Sequence, residues 1–246
     1  MKRGADSPRR PGTRQRGAAL LLLLVVGSVT AASLLISAFS RSNVERVRER
    51  RTIATLGRAT DALVGFAATH GRLPRPAISA IDGRERAEPC SGEEDCSGFL
   101  PWVDLGVDGV DSWGKVLRYA VTPGFTVPPI QRVSAIATKR VQARDGHGLL
   151  FYTVGQDRCE LAAQCAPAVV LSQGRRNLGT HANGLRLANG AVANLDEAGN
   201  DTASVGFIGR AASDESRLPG GEFDDLLAIV PLQIMYDRMA RARTLP

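Results

Sequence analysis

The sequence predicts an α+β fold: a long N-terminal helix, membrane-spanning in its first part, packed on a small antiparallel β-sheet domain with long loops. Three observations carry this. Residues 14–39 read RQRGAALLLLLVVGSVTAASLLISAF, a basic flank followed by an apolar run without a charge. Residues 40–70 keep an apolar beat of mostly three- and four-residue steps. Beyond residue 73, short β-prone runs alternate with Gly, Pro, Asn and Asp.

The apolar run is the first element. A helix crossing a bilayer needs roughly 20 apolar residues and a secretory signal core only about 7 to 15, so Ala18–Phe39 is long enough to span. Lys2, Arg3, Arg9, Arg10, Arg14 and Arg16 precede it against the single acid Asp6. Short basic flanks stay cytoplasmic. The expected topology is therefore a single pass with a cytoplasmic N-terminus and an exported C-terminal domain. Residues 1–17 form a basic leader, 18–70 a long helix, and 71–246 the globular domain.

The leader also explains the sequence pI of about 9.6. Six of the 31 basic and one of the 25 acidic residues lie before Ala18, which leaves 25 against 24 in the remainder. Nucleic-acid binding requires clustered cations that release phosphate counterions. The only later cluster, Arg41, Arg46, Arg48, Arg50 and Arg51, is interleaved with Glu45 and Glu49, and no nucleic-acid partner is expected.

The second half of the helix places Val44, Val47, Ile53, Leu56, Ala59, Leu63 and Phe66 along one stripe suited to packing on a domain. Gly71 is a C-cap candidate, and Pro74 and Pro76 forbid further helix, so the element ends near His70. Unbroken from Ala18, it would measure roughly 80 Å at 1.5 Å per residue.

Four strands are expected in KVLRYAVTPG (115–124), GLLFYTVGQD (148–157), PAVVLSQG (167–174) and SVGFIG (204–209). Residues 175–221, rich in Gly, Asn, Asp and Ala, read as loop with little regular structure. At the C-terminus Leu232, Met235 and Met239 share a helical face, a terminal helix that covers the sheet. Just before the first strand segment, Asp111 can accept backbone N–H groups in a turn, Gly114 permits a tight reversal, and the Trp113 ring can cover a sheet end.

Four cysteines form two sequence pairs, Cys90 with Cys96 and Cys159 with Cys165. In an exported chain an even number reads as disulfides. Three connectivities exist, and the two local loops are favoured because each closes without long-range order. Zinc is disfavoured, since structural sites use tighter spacing.

No G-x-S-x-G, H-E-x-x-H, Walker A loop or helix-opening G-x-G-x-x-G is present, and no enzyme is expected. His70, His147 and His181 are far apart in sequence and read as solvated turn residues. Carboxylates cluster at Asp104, Asp108 and Asp111 and at Glu222, Asp224 and Asp225. Such acidic, glycine-rich loops suit calcium, which takes several flexible oxygen ligands, better than they suit sugar hydrolysis in a chain with 5% aromatic residues.

These parts resemble the type IV pilin-like and type II secretion pseudopilin family. QRGAALLLLLVV is similar to a prepilin signal, DSWGKVLRYAVTPG to the family's Asp-x-Trp-Gly turn followed by a strand with a tyrosine, here Tyr119, and PGGEFDDLLAIV to its C-terminal Gly-Gly-Glu segment. GRLPRPA, GFLPWVDLG and RMARARTLP resemble phrases of minor pilin-like proteins. The resemblance implies a structural subunit cut after Gly17 by a prepilin peptidase and N-methylated on Ala18. The retained helix then passes from the inner membrane into a fibre of other pilins or pseudopilins. The fifth residue after the cleavage glycine, usually glutamate in the family, is Leu22 here, which implies a minor subunit at or near the fibre tip. By the same resemblance, Asp224 and Asp225 match the final acids of a calcium loop. The competing expectations are an unprocessed signal-anchored periplasmic binding protein and, less favoured, a secreted hydrolase cut before Ala32.

Overall fold

The computed structural model describes the backbone of residues 15–246 and the side chains of residues 20–30 and 43–246. Residues 1–14, most of the expected leader, lie outside the described residues. The first helix, α1, is Gln15–His70, and the chain divides into two compact units, Met1–Val47 and Arg48–Pro246.

In the first unit the described residues are helical, and Leu20 to Val26 and Val29 are each at least 55% exposed. Among the described residues no helix is long and apolar enough to cross a membrane. The span expected over residues 18–39 is thus not shown, and part of it, the side chains of 18–19 and 31–39, lies outside the described residues.

In the second unit the helix keeps its expected end. Gly71 turns left-handed at φ +67° and its N–H returns to the Ala67 carbonyl at 2.9 Å, a glycine cap in the conformation that only glycine adopts cheaply. The elements that follow are β1 (Ser97–Phe99), α2 (Trp102–Leu105), β2 (Arg118–Val121), β3 (Arg140–Arg144), β4 (Leu150–Val154), β5 (Ala168–Ser172), α3 (Leu195–Thr202), β6 (Gly206–Ile208), β7 (Leu226–Ile229) and α4 (Leu232–Arg241).

The strands form two sheets, where the sequence suggested one. β1-β2-β5-β7 is antiparallel throughout, whereas β4-β3-β6 joins β3 to β6 in parallel. Alternation along the strands separates two cores. Leu117, Tyr119 and Val121 of the β2 segment and Ala168 and Val170 of β5 pack with Leu56, Ala59, Leu63 and Ala67 of α1 and with Leu232, Met235, Tyr236 and Met239 of α4. On the opposite face Ala120 and Val169 meet Val141 and Phe207 of the second sheet. The first sheet is therefore covered on both sides. For this reason β5 is buried at every position, the continuous apolar pattern of a doubly covered strand.

The stripe of α1 is only partly used. Leu56, Ala59, Leu63 and Phe66 are buried, but Val44, Val47 and Ile53 are about half exposed. Ile53, Leu56 and Gly57 instead border an apolar groove of about 670 Å³ alongside β7, whose other walls include Val141, Val154 and Leu227.

Both local disulfides form, Cys90–Cys96 and Cys159–Cys165. The expected loop over 175–221 contains α3, and SVGFIG within it forms the expected strand as β6. LDEAGNDT has weak intrinsic helicity; its buried side chains, Asp196, Glu197 and Asn200, are polar and find their partners in β3 and in the segment before β7.

Candidate functional site

The DSWGK turn and the GGEFDD segment, more than a hundred residues apart, meet in one polar cluster, which they share with the Gln173–Asn177 loop and with α3. The turn forms locally. Asp111 Oδ1 accepts the N–H groups of Trp113 and Lys115, each at 2.9 Å, and the Gly114 N–H returns to the Asp111 carbonyl at 3.2 Å, with Gly114 at φ +82°. Asp111 Oδ2 accepts the Ser172 hydroxyl at 2.7 Å, which ties the turn to the end of β5. Burial raises the Asp111 carboxyl above its ordinary range against these donors. Trp113 is half-buried, and the tryptophan that packs on the main core is Trp102. Tyr119, 1% exposed, donates its hydroxyl to the Pro74 carbonyl at 3.1 Å and so anchors the chain leaving α1 to β2.

The second segment reverses at Gly220 and Gly221, at φ +84° and +78°. A Cβ on Gly220 would overlap the Asp196 carboxylate, and one on Gly221 the Ala193 carbonyl. The turn delivers Glu222 and Asp224 to Arg176, at 3.4 and 3.2 Å, and Arg176 also pairs with Asp214. Glu197 of α3 accepts the Asp224 N–H at 2.7 Å and the Asn194 amide at 2.7 Å, while Asp225 accepts the Asn200 amide at 2.8 Å. Carboxylate oxygens of Glu197, Asp224 and Asp225 all lie within 4.8 Å of one another. Burial pushes the Asp225 carboxyl well above its ordinary range and raises that of Glu197.

Lys115 supplies the counter-charge. It is 1% exposed, and its ammonium donates to the carbonyls of Gln173 at 2.9 Å, Asn177 at 3.1 Å, and Arg176. Burial lowers its pKa, opposed by the attraction of Asp224, Asp111, Asp225 and Glu197 in that order.

In this arrangement most of the oxygens that a calcium ion at Asp224 and Asp225 would want are already engaged. A hard cation would want carboxylates together with backbone carbonyls, and the three convergent carbonyls are already taken by an ammonium. Both Glu197 oxygens and Asp225 Oδ2 accept N–H donors, and Asp224 Oδ2 accepts from Arg176, whereas Asp224 Oδ1 is buried without a hydrogen-bond partner.

Sequence reasoning placed Asp111, Asp224 and Asp225 at sites of interest and missed Lys115, Arg176, Asp196 and Glu197. One signal was present for Lys115: it stands two residues before Leu117, in step with Leu117, Tyr119 and Val121, whose side chains enter the core. The other expected positions fall elsewhere. Gly17 and Ala18 are helical in backbone, with side chains outside the described residues, and Leu22 is 65% exposed. Asp104 accepts the Glu85 N–H and Asp108 pairs with Arg58, so of that trio Asp111 alone is drawn into the cluster. His70 stacks on Phe66 at 3.9 Å and His181 lies 3.2 Å from the Gly114 carbonyl, while the His147 N–H donates to Asp145 Oδ1 in an exposed turn.

Because burial raises the Asp225 carboxyl, the folded state binds its proton more tightly than the unfolded chain does. Stability from this group is present at low pH and falls as pH rises above the unfolded value toward the folded one. Asp225→Asn, which keeps an acceptor for Asn200, is expected to melt with the wild type at acidic pH and increasingly above it toward neutral pH. Melting curves across that range check this.

Compared with protein-family models, with curated proteins and with solved structures, the chain matches none.

Proposed function

We propose that this chain is a minor pilin-like structural subunit of a type IV pilus or a type II secretion pseudopilus. It is processed after Gly17, methylated on Ala18 and assembled through its N-terminal helix, at or near the fibre tip. What supports this most is the uncovered apolar segment of α1: Leu20 to Val26 and Val29 are at least 55% exposed. A leucine-rich surface of this density is costly in water and marks a lipid or protein contact. In the reading offered here it faces the inner membrane before assembly and neighbouring helices afterwards. The C-terminal half of the same helix is built into the sheet core through Leu56, Ala59, Leu63 and Ala67, which suits a helix that carries its domain with it.

The polar cluster has a structural part in this reading. It fastens the turn after Val110 to the segment before β7 through hydrogen bonds and ion pairs, and it belongs to no reaction. Leu22 leaves no acid to meet a neighbour's N-terminal amine, which accords with a subunit that has none ahead of it.

The test is intact-mass and N-terminal analysis of the protein from membranes of cells that contain a prepilin peptidase. A mature chain that starts at Ala18 with one added methyl is expected. A start at Met1 would make it an unprocessed anchored protein of the envelope, and a start near Ala32 a secreted one. Leu22→Glu is expected to raise incorporation along the fibre, and unchanged incorporation would remove the tip assignment.

A further inference from the structure

We propose that Lys115 is the built-in cation of the polar cluster: its ammonium takes the place of a divalent ion, so that the loops at residues 173–177 and 220–225 hold their shape without calcium. This stands on the cluster's geometry and is independent of the assembly reading.

An ammonium has three N–H donors and no acceptor. All three of Lys115's are used, on the carbonyls of Gln173, Arg176 and Asn177, which a single loop folds toward one point. Convergent backbone carbonyls beside carboxylates are the ligand pattern of a hard cation. Here Asp224, Asp111, Asp225 and Glu197 attract a charge delivered by the protein's own chain, and oxygens of Glu197, Asp224 and Asp225 lie within 4.8 Å of one another. The delivery is rigid: the Lys115 N–H is held by Asp111 Oδ1 at 2.9 Å, its carbonyl accepts the Asp111 N–H at 2.8 Å, and the residue pairs with His181 across a bridge. Space is tight as well. A Cβ on Gly179 would come within 2.9 Å of the Lys115 stem, so the side chain runs in a channel that admits little else. A divalent ion at the same carbonyls would stand within hydrogen-bond length of a fixed positive charge, and the two cannot share the site.

The loop at 173–177 also carries Arg176, whose guanidinium meets Asp224, Glu222 and Asp214. By ordering that loop, Lys115 therefore positions Arg176 against the GGEFDD segment. The chain has, in effect, a covalently attached ion that cannot be diluted or chelated away.

The experiment uses the full chain in detergent and two probes, calcium and terbium. The melting temperature of the wild type is expected to be the same in excess EGTA and in millimolar calcium, with no sensitised terbium emission. Lys115→Met is expected to lower the melting temperature by about 5 °C or more in either buffer. Lys115→Ala, which vacates the carbonyls and leaves every carboxylate, is expected to gain terbium emission that calcium competes away. A wild-type melting temperature that falls on chelation, or terbium emission from the wild type, would overturn the proposal even if no variant folds. So would a Lys115→Met protein that melts with the wild type, or a folded Lys115→Ala protein that takes up no terbium.

Discussion

Asp196→Ala is expected to cost about 3 kcal/mol of stability, the lower end of the range for removing one partner of a buried ion pair. Asp196 is 3% exposed. Its two oxygens receive Arg144 at 2.6 and 2.9 Å and Arg210 at 2.8 Å. Without the carboxylate both guanidiniums stay largely covered, Arg210 over the Phe223 ring at 4.5 Å and on the Gly221 carbonyl at 2.6 Å. Two like charges then face each other in place of a bridged pair. The loss should reach well beyond the site, because Asp196 links β3, α3 and the turn before β7.

The pH dependence has a definite sign. Burial alone would raise the Asp196 carboxyl, but Arg144 and Arg210 overcome it and hold the group below its ordinary range. The folded state therefore releases this proton more readily than the unfolded chain. The stability it contributes is present above the unfolded value and is lost as pH falls through the folded one. In urea titrations the wild type should lose stability on acidification faster than Asp196→Ala, with the two converging at the acid end. Equal slopes would remove the ion triad as a stabilising feature.

Gly221→Ala is expected to destabilise by about 3 kcal/mol or more, because it combines a strained φ with a collision against backbone. The added Cβ would overlap the Ala193 carbonyl and press on the Asn194 N. Neither is the yielding end of a flexible side chain. Relief requires the turn to open, and the turn holds the Gly221 N–H on the Leu218 carbonyl at 2.8 Å. Gly199→Ala is the matched control. A Cβ there meets no atom within 4 Å inside α3, so the change should stabilise by about 0.5–1 kcal/mol through helix propensity and the unfolded chain. Thermal melts of the two variants separate a specific backbone requirement at Gly221 from general intolerance of the region.

The two glycines show how far local reasoning reaches. PGGEFDD announces a turn, and a turn is there; that its second glycine is obligatory depends on Ala193, a neighbour only in three dimensions. The cluster around Lys115 repeats the lesson. Asp111, Asp224 and Asp225 stood out as acids in glycine-rich loops, and that pattern equally describes a calcium site. The cation beside them, Lys115, comes from just before β2, at a position that the alternation of Leu117, Tyr119 and Val121 assigns to an apolar residue. Asp196 and Glu197 carry no local signal, since LDEAGNDT is polar and weakly helical by propensity.

The sequence by itself determined the helix end at His70–Gly71, the core-facing stripe Leu56–Phe66, strand segments within 115–124, 148–157, 167–174 and 204–209, and the terminal helix with Met235 and Met239 inward. These depend on backbone freedom at glycine and proline and on the periods of helix and strand, which act over a few residues. Only the tertiary structure decided that the strands divide into two sheets with one parallel pair, that α3 forms inside an expected loop, and which charges meet. Those outcomes rest on burial and on hydrogen bonds and ion pairs between residues tens of positions apart, such as Lys115 with the Gln173 carbonyl and Arg176 with Asp224. The free energy of such contacts exists only once the chain has closed around them.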